Sequence, residues 1–165
     1  MSLSANVNEK ANLIWAIADK LTGVYKPHEY GKVILPLTVI RRFDCILADT
    51  KEAVLAKHNS MAPDLPMREV FLKKAAGYEF YNTSKYTFET LLDAPDSIEA
   101  NFRNYLNGFS KNVREIIEKF KFDQEITTLA EKNLLFIVIQ EFTTPKADLH
   151  LIKFPILKWV IFLKR

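Results

Sequence analysis

The sequence has only one cysteine and four glycines among its 165 residues, and both shortages limit what the chain can be. The single Cys45 excludes an internal disulfide framework and a cysteine-based zinc site, and it is typical of a reducing, cytoplasmic setting. No two glycines lie within five residues of each other, so the clustered glycines of a phosphate-binding loop are missing. We therefore expect no nucleotide-binding fold.

Metal ligands, a nucleophile motif and a membrane segment are missing as well. The histidines His28, His58 and His150 lie far apart, without HExxH or a similar ligand spacing, and the serine motif GxSxG is absent. Asp19 and Lys20 interrupt the first apolar run, which has no basic segment before it and so predicts neither a signal peptide nor a membrane span. We expect no catalytic, cofactor-binding or metal-binding residue in this chain.

The net charge of +3 comes from the last fifteen residues. Residues 151–165 contain four basic residues and no acidic one, and without them 19 basic residues face 20 acidic residues. Residues 1–150 are therefore almost neutral, so the net charge alone does not indicate DNA binding.

What the sequence does have is apolar residues at steps of three and four, which predict an all-α domain. We expect a compact bundle of six to eight short helices, with a bend or restart at Pro36. The last segment, residues 133–143, is apolar almost all round and should lie at the centre. Residues 78–86, rich in aromatics, are the one strand-like piece and are too short to form a sheet alone.

Two features leave a functional alternative open. Neighbouring residues on a helix point about 100° apart, so at most one of Arg41 and Arg42 faces a buried acid, and the other is available to a partner or a phosphate. The tyrosines of residues 78–86 with Lys85 are a candidate platform for single-stranded nucleic acid, although packing inside the bundle is the simpler interpretation. Cys45 is expected to be a buried, inert thiol.

Three blocks of sequence resemble, in order, the start of the modification subunit of type I restriction-modification DNA methyltransferases. The blocks are NLIWAIADKLTGVYKPHEYGKVILPLTVIRRFDCIL (residues 12–47), FYNTSKYTFETLLDAPDSIEANFRNYLNGFSKNVREIIEKFKFD (80–123) and LAEKNLLFIVIQEF (129–142). The resemblance implies that residues 1–150 are the helical N-terminal domain of that subunit. In the family this domain precedes a Rossmann-like catalytic domain that binds S-adenosylmethionine and methylates adenine in DNA.

The resemblance implies a role for the domain, but it does not extend to catalysis by this chain. The family's glycine-containing cofactor loop and its Asn-Pro-Pro-aromatic motif, which receives the flipped adenine, are absent, since no glycine follows Gly108 and no two prolines are adjacent. We expect a non-catalytic interaction and DNA-clamping domain that works with the specificity and restriction subunits and binds DNA through the assembled complex. Its candidate DNA or partner contacts are Lys26, Lys32, Arg41 and Arg42. A stand-alone helical adaptor without a DNA role is the alternative, which the gene neighbourhood would distinguish.

Residues 151–165 do not resemble the family, and back-translation suggests a reason. After His150 the family predicts a continuation like PDxVSNxEMGxIFE, whereas the chain has LIKFPILKWVIFLKR. Residues 151–164 can be encoded by codons that, when read in the frame starting at the last base of a CAC codon for His150, translate as PDKVSNTEMGYIFE. Trp159 has a single codon, and in the shifted frame this codon still yields the Met-Gly junction. We therefore expect a frameshift-derived tail that replaces the catalytic domain, with a natural variant helix as the alternative. Sequencing of the source locus tests this.

Overall fold

The computed structural model describes the backbone of residues 3–144 and the side chains of residues 11–144. The helices of this part are α1 (Leu3–Leu21), α2 (Gly31–Leu47), α3 (Lys51–Ser60), α4 (Arg68–Ala76), α5 (Phe88–Leu91), α6 (Ile98–Asn107), α7 (Lys111–Lys119), α8 (Asp123–Glu131) and α9 (Leu135–Glu141). Since α5 is a single turn, eight helices of seven residues or more are described. Residues 3–144 contain no β-sheet, and the predicted all-α class is confirmed. The predicted boundary at residue 150 and the tail beyond it lie outside the described residues.

Local sequence signals decide where several of these helices begin and end. The backbone N–H of Lys26 donates to Glu29 Oε1 over 3.0 Å, which fixes a 3-10 turn at Pro27–Glu29 just before α2. Gly77 ends α4 in the left-handed conformation, with φ at 80°, and its N–H donates to the Lys73 carbonyl over 2.9 Å. Thr87 caps α5 by accepting a hydrogen bond from the N–H three residues later.

Of the bend or restart predicted at Pro36, the restart does not occur, because α2 continues through this residue as one helix from Gly31 to Leu47. The bend stays a prediction. A proline in a helix removes one backbone hydrogen bond. Pro36 is buried, and so are Val33 and Leu37 on either side of it, so burial of this apolar face offsets the lost hydrogen bond.

The core of the described part is rich in aromatic rings around α5, α6 and α9. The Phe88 ring stands edge-on to the rings of Phe102, Tyr105 and Phe142, with centroids 5.9 to 6.3 Å apart. Helix α9 packs against α1, α5, α6 and α8. Its Val138 is fully buried, which confirms the prediction that this segment lies at the centre.

The strand-like piece near residues 78–86 forms a single antiparallel bridge, between Asn82 and Phe109. The N–H of Thr83 donates to the Gly108 carbonyl over 2.8 Å, and the N–H of Ser110 donates to the Tyr81 carbonyl over 2.9 Å. A Cβ at Gly108 would lie 2.6 Å from the backbone nitrogen of Ser84, so only glycine permits this approach. The crossing, as we call the contact of residues 81–84 with 108–110, holds residue 82 beside α6.

No helix within residues 3–144 is long and apolar enough to cross a membrane.

Candidate functional site

Two of the candidate contact residues, Lys26 and Lys32, are exposed where the chain enters α2. Glu29 lies between them in sequence, and its carboxylate is 3.7 Å from Lys32 Nζ while it also accepts the N–H of Lys26. That backbone hydrogen bond lowers the pKa of Glu29, with a smaller contribution from the Lys32 ammonium. Lys32 nevertheless keeps 60% of its side chain exposed, so both ammonium groups are accessible to another molecule.

The other two candidates, Arg41 and Arg42, lie inside the protein, with exposed fractions of 6% and 5%. The Arg41 guanidinium donates to Asp44 over 2.6 Å and to Glu89 over 3.1 Å, and its Cζ lies 5.5 Å from the centroid of the Phe88 ring. The expectation that one of the pair points outward does not agree with this burial. Because α2 is covered on most sides, residues 100° apart on it can both be enclosed. The prediction of a surface contact therefore depends on Lys26 and Lys32.

Beneath α2 lies a buried polar cluster, by which we mean Arg41, Asp44, Lys51, Asn82 and Tyr105. Asp44 Oδ1 accepts the Tyr105 hydroxyl over 2.8 Å while Oδ2 receives Arg41. Lys51 Nζ donates to Asn82 Oδ1 over 2.8 Å and lies 5.7 Å from the centroid of the Tyr105 ring. Asn82 completes the chain of contacts by donating to the Tyr105 carbonyl over 2.9 Å. The cluster joins α2, α3, α6 and the crossing.

Burial controls the protonation of this cluster. It raises the pKa of Asp44, although Arg41 and the Tyr105 hydroxyl oppose the change, and it raises the pKa of Tyr105 well above its ordinary value. Burial also lowers the pKa of Lys51 to about 8, against the attraction of Asp44. Every charged member has a partner inside the chain, and structural ion-pair networks shift pKa values as catalytic sites do. Removal of one partner from such a network is costly, so the cluster ties its elements together.

Apolar side chains that the fold leaves outside are concentrated between α3 and Tyr78. Val70 is 55% exposed and Met67 56%, and Leu65, Phe71 and Tyr78 are exposed as well. A groove, called here the α3–α4 groove, runs between the two helices. It is lined by Ala53, Ala56, Lys57 and Ser60 of α3 and by Phe71, Lys74 and Ala75 of α4.

Comparison with known protein families identifies what kind of domain this is. The model of the family described as the HsdM N-terminal domain matches residues 10–142, which include most of α1 and all of α2 to α9. The chain belongs to this family. HsdM is the modification subunit of type I restriction-modification methyltransferases, so the resemblance seen in the sequence is confirmed. No curated protein and no solved structure matches the chain.

The glycines of this HsdM N-terminal domain are not gathered into one turn of the kind that binds S-adenosylmethionine, the methyl donor that the resemblance associates with the full subunit. The four glycines occupy four separate places: Gly23 follows α1, Gly31 begins α2, Gly77 ends α4 and Gly108 serves the crossing. A glycine-rich turn that brings backbone N–H groups to a cofactor needs them together. Within the part of the chain that the structure describes, no cluster of His, Cys, Asp and Glu is arranged as a metal site.

Two of the tyrosines proposed as a stacking platform, Tyr78 and Tyr86, already have contacts within the chain. The Tyr78 ring lies parallel to that of Phe80 at 5.3 Å, and Phe80 meets Phe43 edge-on at 5.0 Å. Lys85 Nζ lies 5.2 Å from the centroid of the Tyr86 ring. These contacts favour packing, the simpler interpretation.

Sequence reasoning did not find the buried polar cluster. One signal for it is present, because Arg41 and Asp44 have the i, i+3 spacing of a helical ion pair. The buried Lys51 donates its hydrogen bond to Asn82, which is 31 residues away, and no local sequence pattern predicts a contact over such a separation.

Proposed function

We propose that this HsdM N-terminal domain is an interaction and DNA-clamping module, which acts in the cytoplasm and assembles with the specificity and restriction subunits of a type I system. The observation that carries the proposal is the family match over residues 10–142. Two surface features support it, namely the exposed lysines at the start of α2 and the exposed apolar side chains near α4. Neither feature is used in the core of the domain.

DNA binding in this proposal belongs to the assembly and not to the isolated chain. Affinity for duplex DNA follows the number of phosphates that cations neutralise. Lys26 and Lys32 supply two cations beside one carboxylate, that of Glu29. We therefore expect the isolated chain to bind DNA weakly and without sequence preference, and the clamp to need cations from the other subunits.

The experiment compares reconstituted complexes on DNA at several salt concentrations. The double substitution Lys26→Glu and Lys32→Glu should weaken DNA binding and reduce the slope of log affinity against log salt by about 0.9 for each phosphate that is no longer neutralised. Lys119→Glu with Lys132→Glu is the matched control, since both lysines are exposed and the change in charge is equal. Circular dichroism of each isolated variant confirms that it is folded.

Three outcomes separate this proposal from its alternative. A loss of affinity confined to the Lys26 and Lys32 variant supports the clamp. Equal losses in both variants show a general effect of charge and contradict a specific contact. If the other subunits assemble normally and bind DNA equally well whether or not this chain is present, the alternative is favoured, namely a stand-alone helical adaptor without a DNA role.

The proposal also holds that this chain transfers no methyl group by itself, because the residues present do not form a cofactor loop. Calorimetric titration of the isolated chain with S-adenosylmethionine should give no binding heat. Saturable binding at micromolar concentration would contradict this part of the proposal.

A further inference from the structure

The α3–α4 groove offers a surface whose shape and charge both restrict what can bind there. The residues that line it are alanines, one serine, one phenylalanine and two lysines, and none is acidic. Lys57 Nζ lies 5.3 Å from the centroid of the Phe71 ring, so one cation stands directly at the apolar floor. Lys74 lies three residues after Phe71 along α4 and is exposed.

The floor of the groove suits the close approach of another helix. Ala53 and Ala56 are three residues apart on α3, which places them on the same side of that helix. Their small side chains leave room for a neighbouring backbone. Met67, Phe71 and Ala75 follow one another at steps of four, so the apolar surface of the groove continues to Met67, just before the start of α4.

Among the residues that the structure describes, the outer face of α4 is left uncovered. Helix α4 buries Leu72 and Ala76 on its inner side, where Thr50 Oγ1 donates to the Ala76 carbonyl over 2.9 Å. Phe71 and Val70 lie on the other side and are exposed. Five of the eight exposed large hydrophobic residues among those described lie between residues 65 and 78. Concentration of this kind marks an interaction surface.

We propose that the α3–α4 groove binds an amphipathic helix of the specificity subunit, with the apolar face of that helix on Phe71 and its carboxylates beside Lys57 and Lys74. Binding of an amphipathic helix in an apolar groove between two helices is a recurrent mode of recognition. The charge complementarity selects an acidic helix over a basic one. The inference rests on the proposed function, because it takes its partner from there.

The test uses the co-expressed specificity subunit and three variants of this chain. Ala56→Glu places a carboxylate in the groove and should weaken the complex by about tenfold or more, because like charges then meet at the interface. Ala56→Lys adds similar bulk with the favourable charge and should weaken it much less. Ala100→Glu on α6 is the control, since Ala100 is also an exposed helical alanine. Titration of the labelled subunit gives the dissociation constants, and thermal unfolding confirms that each variant is folded.

A second measurement identifies the contact directly. A carbodiimide joins an amine to a carboxylate only when the two are in contact, so it should link Lys57 or Lys74 to an aspartate or glutamate of the specificity subunit. Lys111, with 77% of its side chain exposed, should give no such link and is the control for simple accessibility. Mass spectrometry locates the linked peptides.

The outcomes distinguish failure of this inference from failure of the proposed function. If Ala56→Glu and Ala56→Lys weaken the complex equally, the occupant of the groove is not an acidic helix. If neither variant weakens the complex, the specificity subunit does not bind in the groove at all, although the complex itself still forms. If the complex stays intact but binds DNA more weakly with Ala56→Glu and more tightly with Ala56→Lys, the groove faces DNA. That result overturns the inference. If the unaltered chain forms no complex with the specificity subunit, both the proposed function and this inference are wrong.

Discussion

Helix α3 lies between two regions that depart from the usual distribution of side chains, in which charged groups are exposed and apolar groups are buried. On one side, Lys51 belongs to a cluster in which charged groups are buried. On the other side, Ala53 and Ala56 line a groove together with Phe71, whose ring is exposed. Buried charge and exposed apolar surface both cost free energy when nothing compensates them.

The two regions differ in where the compensation comes from. Asp44 has two partners within the chain, Arg41 and the Tyr105 hydroxyl, and Lys51 has Asn82. The exposed side chains along α4 have no such cover in the described part of the chain. The comparison indicates that the buried polar cluster serves the fold, whereas the α3–α4 groove serves another molecule. Three changes test that contrast.

The largest effect is expected from Asp44→Ala. This change leaves the buried Arg41 guanidinium without its closest acid and the Tyr105 hydroxyl without its acceptor, and removal of one partner from a buried ion pair costs about 3–5 kcal/mol. Urea unfolding monitored by circular dichroism measures the free energy of unfolding. Asp93→Ala, at an exposed carboxylate, is the control and should change it by less than about 0.5 kcal/mol. A decrease below about 1 kcal/mol for Asp44→Ala would mean that the cluster is not needed for stability.

A smaller, pH-dependent effect is expected from Lys51→Met. Between the folded-state pKa of about 8 and the ordinary value of 10.5, the folded chain has lost the Lys51 proton while the unfolded chain keeps it. The free energy of unfolding therefore rises with pH in that window, by at most about 1.4 kcal/mol per pH unit. The raised pKa of Tyr105 acts in the opposite sense above about pH 10, so the slope is best measured between about pH 8 and 9.5.

Lys51→Met should remove this part of the slope, because the methionine cannot titrate. Lys119→Met, at an exposed position, should leave the slope as it is. Parallel slopes for the unaltered chain and the Lys51→Met variant would show that the amine is solvated in the folded state.

The smallest effect is expected from Val70→Ser on the exposed face of α4. The isolated chain should keep its free energy of unfolding to within about 0.5 kcal/mol, because this side chain is already in water. Leu72→Ala, two residues away but buried, is the matched comparison and should lower it by about 2–5 kcal/mol. If Val70→Ser destabilises the isolated chain as strongly as Leu72→Ala does, the outer face of α4 belongs to the core after all.

Much of the fold could be predicted from local patterns. Apolar spacing predicts helices over residues 112–120 and 123–132, and the structure has α7 at Lys111–Lys119 and α8 at Asp123–Glu131. Apolar spacing, proline and capping residues act over a few positions, so a single sequence contains them. The surroundings of individual side chains depend on which helices meet. Local spacing does not reveal, for example, that the large Trp15 side chain on α1 is 74% exposed.

The candidate site shows the same limit. Charge and sequence position suggested Lys26, Lys32, Arg41 and Arg42 equally, and burial then separated the lysines from the arginines. That separation depends on long-range packing: Glu89, the second acid beside Arg41, is 48 residues away in sequence. The acid-free lining of the α3–α4 groove likewise results from two helices meeting.

The crossing makes residues 83–108 a closed loop whose two ends are fastened together. The loop contains α5 and α6, and its closure depends on the N–H groups of Thr83 and Ser110 and on the absence of a side chain at Gly108. These two amide protons are shielded while the ends stay joined, so their exchange with solvent measures how often the crossing opens. A partner that parted α6 from the 81–84 segment would have to break these two hydrogen bonds and also the one that Asn82 donates to the Tyr105 carbonyl.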